Sequence, residues 1–225
     1  MLRRQLVLAT PAYILVPVAI GVGLAALGVE LQPFAALAGA VGWVVALFFR
    51  APVALAAIAR TGSRERAQPW IVGSSGPLEE IVRLGVLLFV GRGLDEALSV
   101  GLGWAAIEVV YAIGNGFALV ALAGRTDPEA EQAKALLPTQ AALEASAPWW
   151  GVLERLWASL LHIGFTLIVA AQPILVVLTM LVHSAANLGL IRALGAGISI
   201  ARVQVAGLVL AGAVVGVAAL LWRPG

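Results

Sequence analysis

Glu79, Glu80 and Arg83 stand together in "GPLEEIVRLG", residues 76–85, within a strongly apolar chain. Glu108 follows in "GLGWAAIEVVYAIG", His162 in "ERLWASLLHIGFTLIV", and His183 and Asn187 in "LVHSAANLGL". Paired carboxylates with imidazoles suit hydrolysis. One carboxylate takes a proton from water, and a His or Asn stabilises the oxyanion. Two His and a Glu, here Glu108, His162 and His183, also suffice as ligands for catalytic zinc, with a fourth position open for water. The chain lacks the helix-borne "HExxH" zinc motif and the "GxSxG" serine elbow. It has no cysteine, which excludes disulfides and thiolate chemistry.

The elements that must carry these residues are membrane helices. Mean hydropathy is +1.00 and only 12% of residues are charged, so most of the chain cannot face water. Apolar runs of about 20 residues recur from end to end, each long enough to cross about 30 Å of hydrocarbon as a helix. They are too long and continuous for barrel strands. The sequence predicts an all-α polytopic membrane protein, a single integral domain over 1–225. Seven spans fit, near 5–28, 32–58, 70–90, 95–123, 150–171, 173–191 and 196–222. The first follows Arg3 and Arg4 and is too long for a signal-peptide core, so it reads as a span. Arg50 and Pro52 interrupt the second, whose last turns are expected along the interface. "GSSGP" is expected to break the third span before Glu79, with Pro77 in the first turn of the helix that follows. Residues 125–149 form the longest polar connection: Thr126 or Asp127 is an N-cap, Pro128 the first helical residue, "TQAALEAS" a second short turn, and Trp149 and Trp150 a membrane-interface belt. We read it as an interfacial helix, with a mobile gate as the sharper alternative.

Charge in lipid is expensive, at roughly 2.5–3.5 kcal/mol per residue at mid-bilayer on insertion scales. Glu79, Glu80, Arg83 and Glu108 unpaired would cost up to roughly 10–14 kcal/mol together by that scale. Each has an ordinary explanation by itself. Acids suit the first turn of a helix, a lone His bonds a carbonyl, and an Asn holds two helices together. Together, on four spans, they predict one interior cavity. Glu79 and Arg83 are i,i+4, acid first, so one carboxylate neutralises Arg83 and the other is left over. Arg83 is expected to be structural.

"EEIVR", the aromatic and Glu of "WAAIE", an isolated membrane His and then "HSAAN" resemble the Abi superfamily of intramembrane proteases, the CAAX-protease and bacteriocin-processing proteins. The similarity is greatest to the PrsW-like and YhfC-like branches. The Glu-Arg of "ERLWASLLHIGF", with a His seven residues after the Arg, is similar to the YhfC-like pattern. The motifs cover 70–191; spans 1–60 and 192–225 carry none. The resemblance implies an intramembrane peptidase acting on a membrane-embedded or membrane-associated protein or peptide. It implies that Glu79 activates water and that Glu80 and Arg83 orient it. It also implies that Glu108, His162 and His183 line the site, with Asn187 as oxyanion donor or orienter. It leaves a metal-dependent and a glutamate-type mechanism both open. Three positions depart from it: Arg83 comes one position sooner after the Glu pair than the Arg of the CAAX-protease branch, Glu108 stands where that branch has His, and Trp104 where YhfC-like chains have His.

With the N-terminus inside, Arg3, Arg4, Arg60, Arg64, Arg66, Arg125, Lys134 and Arg192 gather on the cytoplasmic side, against Arg92 and Arg223 outside. The C-terminus is then expected outside, and the membrane is expected to be a prokaryotic cytoplasmic one. A net charge of +2, scattered over loops, gives no footprint for nucleic acid. Two other functions use the same residues: a proton- or ion-coupled transporter, and an inactive membrane scaffold.

Overall fold

The computed structural model describes residues 2–128, 130–131 and 148–223. The second turn expected in "TQAALEAS" lies outside them. Helices α1 (Leu2–Ala26), α2 (Pro33–Thr61), α3 (Arg64–Gly73), α4 (Ser75–Val90) and α5 (Leu94–Ala123) fill the first half. Helix α6 (Pro148–Ala171), a 3-10 turn (Pro173–Leu175), α7 (Val176–Gly195) and α8 (Ile200–Leu221) complete it. No strand occurs among the described residues. Among the described residues, six helices are long and apolar enough to cross a membrane: α1, α2, α5, α6, the run through α7, and α8. This is an integral membrane protein.

The count differs from seven because the third expected span is a kinked pair. Helix α4 has 16 residues, about 24 Å at 1.5 Å per residue, short of a full crossing. The break falls at "GSSGP" as expected. Ser74 and Ser75 turn their hydroxyls back onto the carbonyls of Ile71 and Val72 at 2.8 and 2.7 Å, a pairing that bends helices. Pro77 offers no N–H to the Gly73 carbonyl four residues back. Ser184 of α7 supplies the missing donor at 2.7 Å. A carbonyl inside a membrane protein needs such a partner, so the kink also fastens α4 to α7. Gly76 completes the junction: a side chain there would overlap the Met180 carbonyl and Ser184.

Helix α2 corrects another expectation. It runs unbroken through Arg50 and Pro52 to Thr61, where Gly62 in the left-handed conformation (φ 75°) ends it. It lies against α5, close enough that a Cβ on Gly103 would overlap the Ala36 backbone and one on Gly39 the Val100 backbone. Small residues permit such approach in lipid, where no hydrophobic drive separates protein from solvent. Helix α6 is the most enclosed, buried over most of its length among α1, α5 and α8.

Leu6 of α1 lies beside Gly116 near the end of α5, and the Tyr13 hydroxyl donates to the Pro148 carbonyl at 3.1 Å. The start of α1, the end of α5 and the start of α6 therefore share one end of the bundle. Trp222 donates to the Leu167 carbonyl at 3.0 Å at the other end. After α5, Arg125 grips Asp127 through two bonds of 2.8 Å, and Asp127 accepts from the Ala130 N–H at 3.1 Å, making it the expected N-cap. The Arg125 bond, then the backbone N–H, hold the Asp127 carboxyl down at about 2.

Gly103→Val should destabilise the bundle by roughly 1–3 kcal/mol, since overpacking here meets backbone and not a movable side chain. Gly114 has open space around it, so Gly114→Ala should melt near wild type. Thermal midpoints in detergent check both.

Candidate functional site

Helix α4 presents Glu79, Glu80 and Arg83 inward, and all three are buried. Its neighbours are α2, α5, α6 and α7, and each brings a partner.

Arg83 is fully buried and uses all three guanidinium nitrogens. Its Nε donates to Glu80 Oε2 at 3.0 Å; Nη1 donates to Thr166 Oγ1 at 2.7 Å and the His162 carbonyl at 3.2 Å; Nη2 meets His162 Nδ1 at 3.0 Å. Its face lies 4.2 Å from the Trp104 ring centroid. The partner is Glu80, not the i,i+4 Glu79. The expected structural role thus has a full set of bonds.

Arg83 also fixes His162. A guanidinium only donates, so Nδ1 must accept and Nε2 carries the hydrogen, directed at Glu108 Oε2. Both ring nitrogens are spent. His183 differs. Its Nδ1 meets Glu80 Oε1 at 2.9 Å, its ring stacks on Phe165 with centroids 5.5 Å apart, and its Nε2 is 3.6 Å from Glu79 Oε1. An ionised Glu80 only accepts, so Nδ1 donates and Nε2 is turned to Glu79. A carboxylate that sets the tautomer of a His is a standard orienting device.

Glu79 is not left over. Arg50 of α2 pairs through Nη2 with its Oε1, and Trp104 Nε1 donates to its Oε2 at 3.2 Å. Glu108 is likewise held by Arg155, at 2.6 Å, whose other nitrogen pairs with Glu154. Glu79, Glu80, Glu108 and Glu154 face Arg50, Arg83 and Arg155, one carboxylate more than there are guanidinium groups. Sequence reasoning passed over Arg50, Arg155 and Glu154 as site residues. The signal was there: each is a charge inside an apolar run, subject to the same cost in lipid as Glu108.

A cavity of about 330 Å³ opens among α2, the α3–α4 junction, α5, α6 and α7. Glu79, Glu108, His162, His183, Arg50 and Asn187 line it, whereas Glu80 and Arg83 stand behind its wall. The expected convergence of Glu79, Glu108, His162 and His183 on one cavity is therefore observed. Asn187 does not point at Glu79; it donates to Ser75 Oγ at 2.8 Å and secures the kink.

The zinc set of Glu108, His162 and His183 does not fit. Among the described residues no group of three such side chains has metal-holding geometry. The reason is chemical: His162 has no free nitrogen, and Arg155 occupies Glu108.

No family model matches the chain, no curated protein matches it, and no solved structure matches it. What the site can do rests on its own geometry.

Arg83→Met should destabilise the fold by about 3–5 kcal/mol, the usual result of stranding one member of a buried ion pair. Arg83→Met with Glu80→Gln should recover part of that. Thermal unfolding of the single and double variants in detergent measures the difference.

Proposed function

We propose that this chain is an intramembrane peptidase that hydrolyses a membrane-associated protein or peptide with Glu79 as the base. One observation carries the reading. Of the adjacent carboxylates, Glu79 alone lies on the cavity wall, with the Nε2 of an oriented His183 turned toward it, while Glu80 is tied behind the wall to Arg83 and His183.

Glu79 takes a proton from a cavity water as the water oxygen attacks the peptide carbonyl. As the tetrahedral intermediate collapses, the C–N bond breaks and the proton passes to the departing amine. His183 is placed to relay that proton. Glu80 and Arg83 orient, and Glu108 with His162 supports the wall. The cavity volume far exceeds the ~10–15 Å³ one water needs. The resemblance of "EEIVR" and "HSAAN" to the Abi proteases supports the same assignment.

A proton- or ion-coupled transporter would use the same side chains. The peptidase reading is favoured by what lies beyond the cavity: Leu87, Val100, Thr166, Val169 and Thr179 are buried and close the bundle toward its far end. A transporter needs a path through that packed layer and is commonly built from paired internal repeats, which this sequence does not display. The cavity opens near the end that collects Arg60, Arg64, Arg66, Arg125 and Arg192, and the positive-inside rule makes that end cytoplasmic. Substrates would then enter from the cytoplasm or laterally from lipid.

Glu79→Gln should lower cleavage of a membrane reporter by about 100- to 10,000-fold while leaving the thermal midpoint near wild type. Proteolysis at matched protein levels in proteoliposomes checks this. Equal cleavage by both proteins would remove Glu79 from the reaction.

A further inference from the structure

We propose that Arg50 is a second catalytic residue of this site: it covers Glu79 in the free protein, then passes to the scissile carbonyl, uncovering the base and holding the oxyanion. The inference rests on the peptidase reading and deepens it.

Of the three guanidinium groups around the site, Arg50 is the one able to move. Arg83 has spent its nitrogens within the wall. Arg155 spans Glu108 and Glu154. Arg50 sits on the cavity wall with 29% of its side chain exposed and holds Glu79 through Nη2. Its Nε is the buried side-chain nitrogen that, among the described residues, has no hydrogen-bond partner. Buried donors are ordinarily satisfied, so the resting position leaves one donor unused. Glu108, on the same cavity wall, exerts a Coulombic pull on the guanidinium, so a carboxylate stays nearby when Arg50 leaves Glu79.

The resting contact also has a chemical consequence. Both oxygens of Glu79 are occupied, one by Arg50 and one by Trp104. Oε1 retains a second lone pair, but with Arg50 and, at 3.6 Å, His183 Nε2 beside it, the approach of a water to that oxygen is crowded until Arg50 leaves. A peptide carbonyl entering beside Glu79 offers Arg50 an acceptor. In the step itself, the water oxygen bonds the carbonyl carbon, its proton goes to Glu79, and the C=O π pair moves to oxygen. The fixed positive charge of Arg50 then faces that oxyanion. Asn187 commits one amide N–H to Ser75, which ties it to the kink, and it carries no charge to set against the oxyanion.

Two measurements test the proposal. Covering is read without substrate, by dicyclohexylcarbodiimide labelling located by mass spectrometry, with Glu80 as internal reference. Glu79 should label several-fold faster in Arg50→Gln than in wild type, while Glu80, still held by Arg83, stays unlabelled in both. Equal labelling of Glu79 in the two proteins overturns the covering. The oxyanion role is read from kinetics on single-span reporters in proteoliposomes. Arg50→Gln should lower kcat by about 100- to 1,000-fold with KM within about 3-fold, the size of effect seen on losing an oxyanion donor. Arg50→Lys, which keeps the charge without the fork, should retain part of the rate and carries the test if Arg50→Gln fails to fold. Near-normal kcat in both Arg50 variants overturns the role while leaving the peptidase reading in place. A wild type that cleaves no reporter overturns the peptidase reading and the oxyanion role together, and the covering is then judged on labelling alone.

Discussion

A fully buried guanidinium has to be surrounded, and α4 through α7 meet around Arg83. Glu80 of α4 balances its charge, Trp104 of α5 lies on its face, and the His162 carbonyl, His162 ring and Thr166 of α6 accept its hydrogens. Through Glu80 the set extends to His183 of α7. In a low dielectric such a group is either fully paired or strongly destabilising. That requirement fixes how these helices sit relative to one another, and hence where each remaining polar group points.

The same network divides the site in two. Behind the wall, Arg83 and Glu80 dictate the tautomers of His162 and His183. On the cavity side, Glu79 and Arg50 face each other with the Nε2 of His183 close by. The inner pair holds position and the outer groups are available for chemistry. Adjacent residues on one helix play opposite parts because successive helical positions are about 100° apart. Glu79 turns toward α2 and Glu80 toward α7.

The break between α3 and α4 belongs to the same design. Ending one helix at Ser74 and starting another at Ser75 brings Glu79 and Glu80 near the start of a new helix, deep in the bundle. The freed carbonyl at Gly73 and the hydroxyl of Ser75 are then satisfied by Ser184 and Asn187, both within the turn that follows His183 on α7. The bonds that make the kink tolerable in a membrane therefore also set the position of His183.

The sequence by itself determined the helical membrane architecture, because composition and run length leave backbone amides no other way to be satisfied in lipid. It also determined most helix limits, the break at "GSSGP", and the residues that had to converge, since a charge in an apolar run must find an interior. It could not choose partners. The i,i+4 spacing pointed Arg83 at Glu79, but helix α6 and Trp104 draw the guanidinium to Glu80, and Arg50, distant in sequence, takes Glu79. Nor could it show that His162 lacks a free nitrogen for a metal, or that Asn187 serves the kink. Those outcomes depend on which side chain of another helix arrives first at a given donor or acceptor. Helix packing decides that, and local sequence does not encode it.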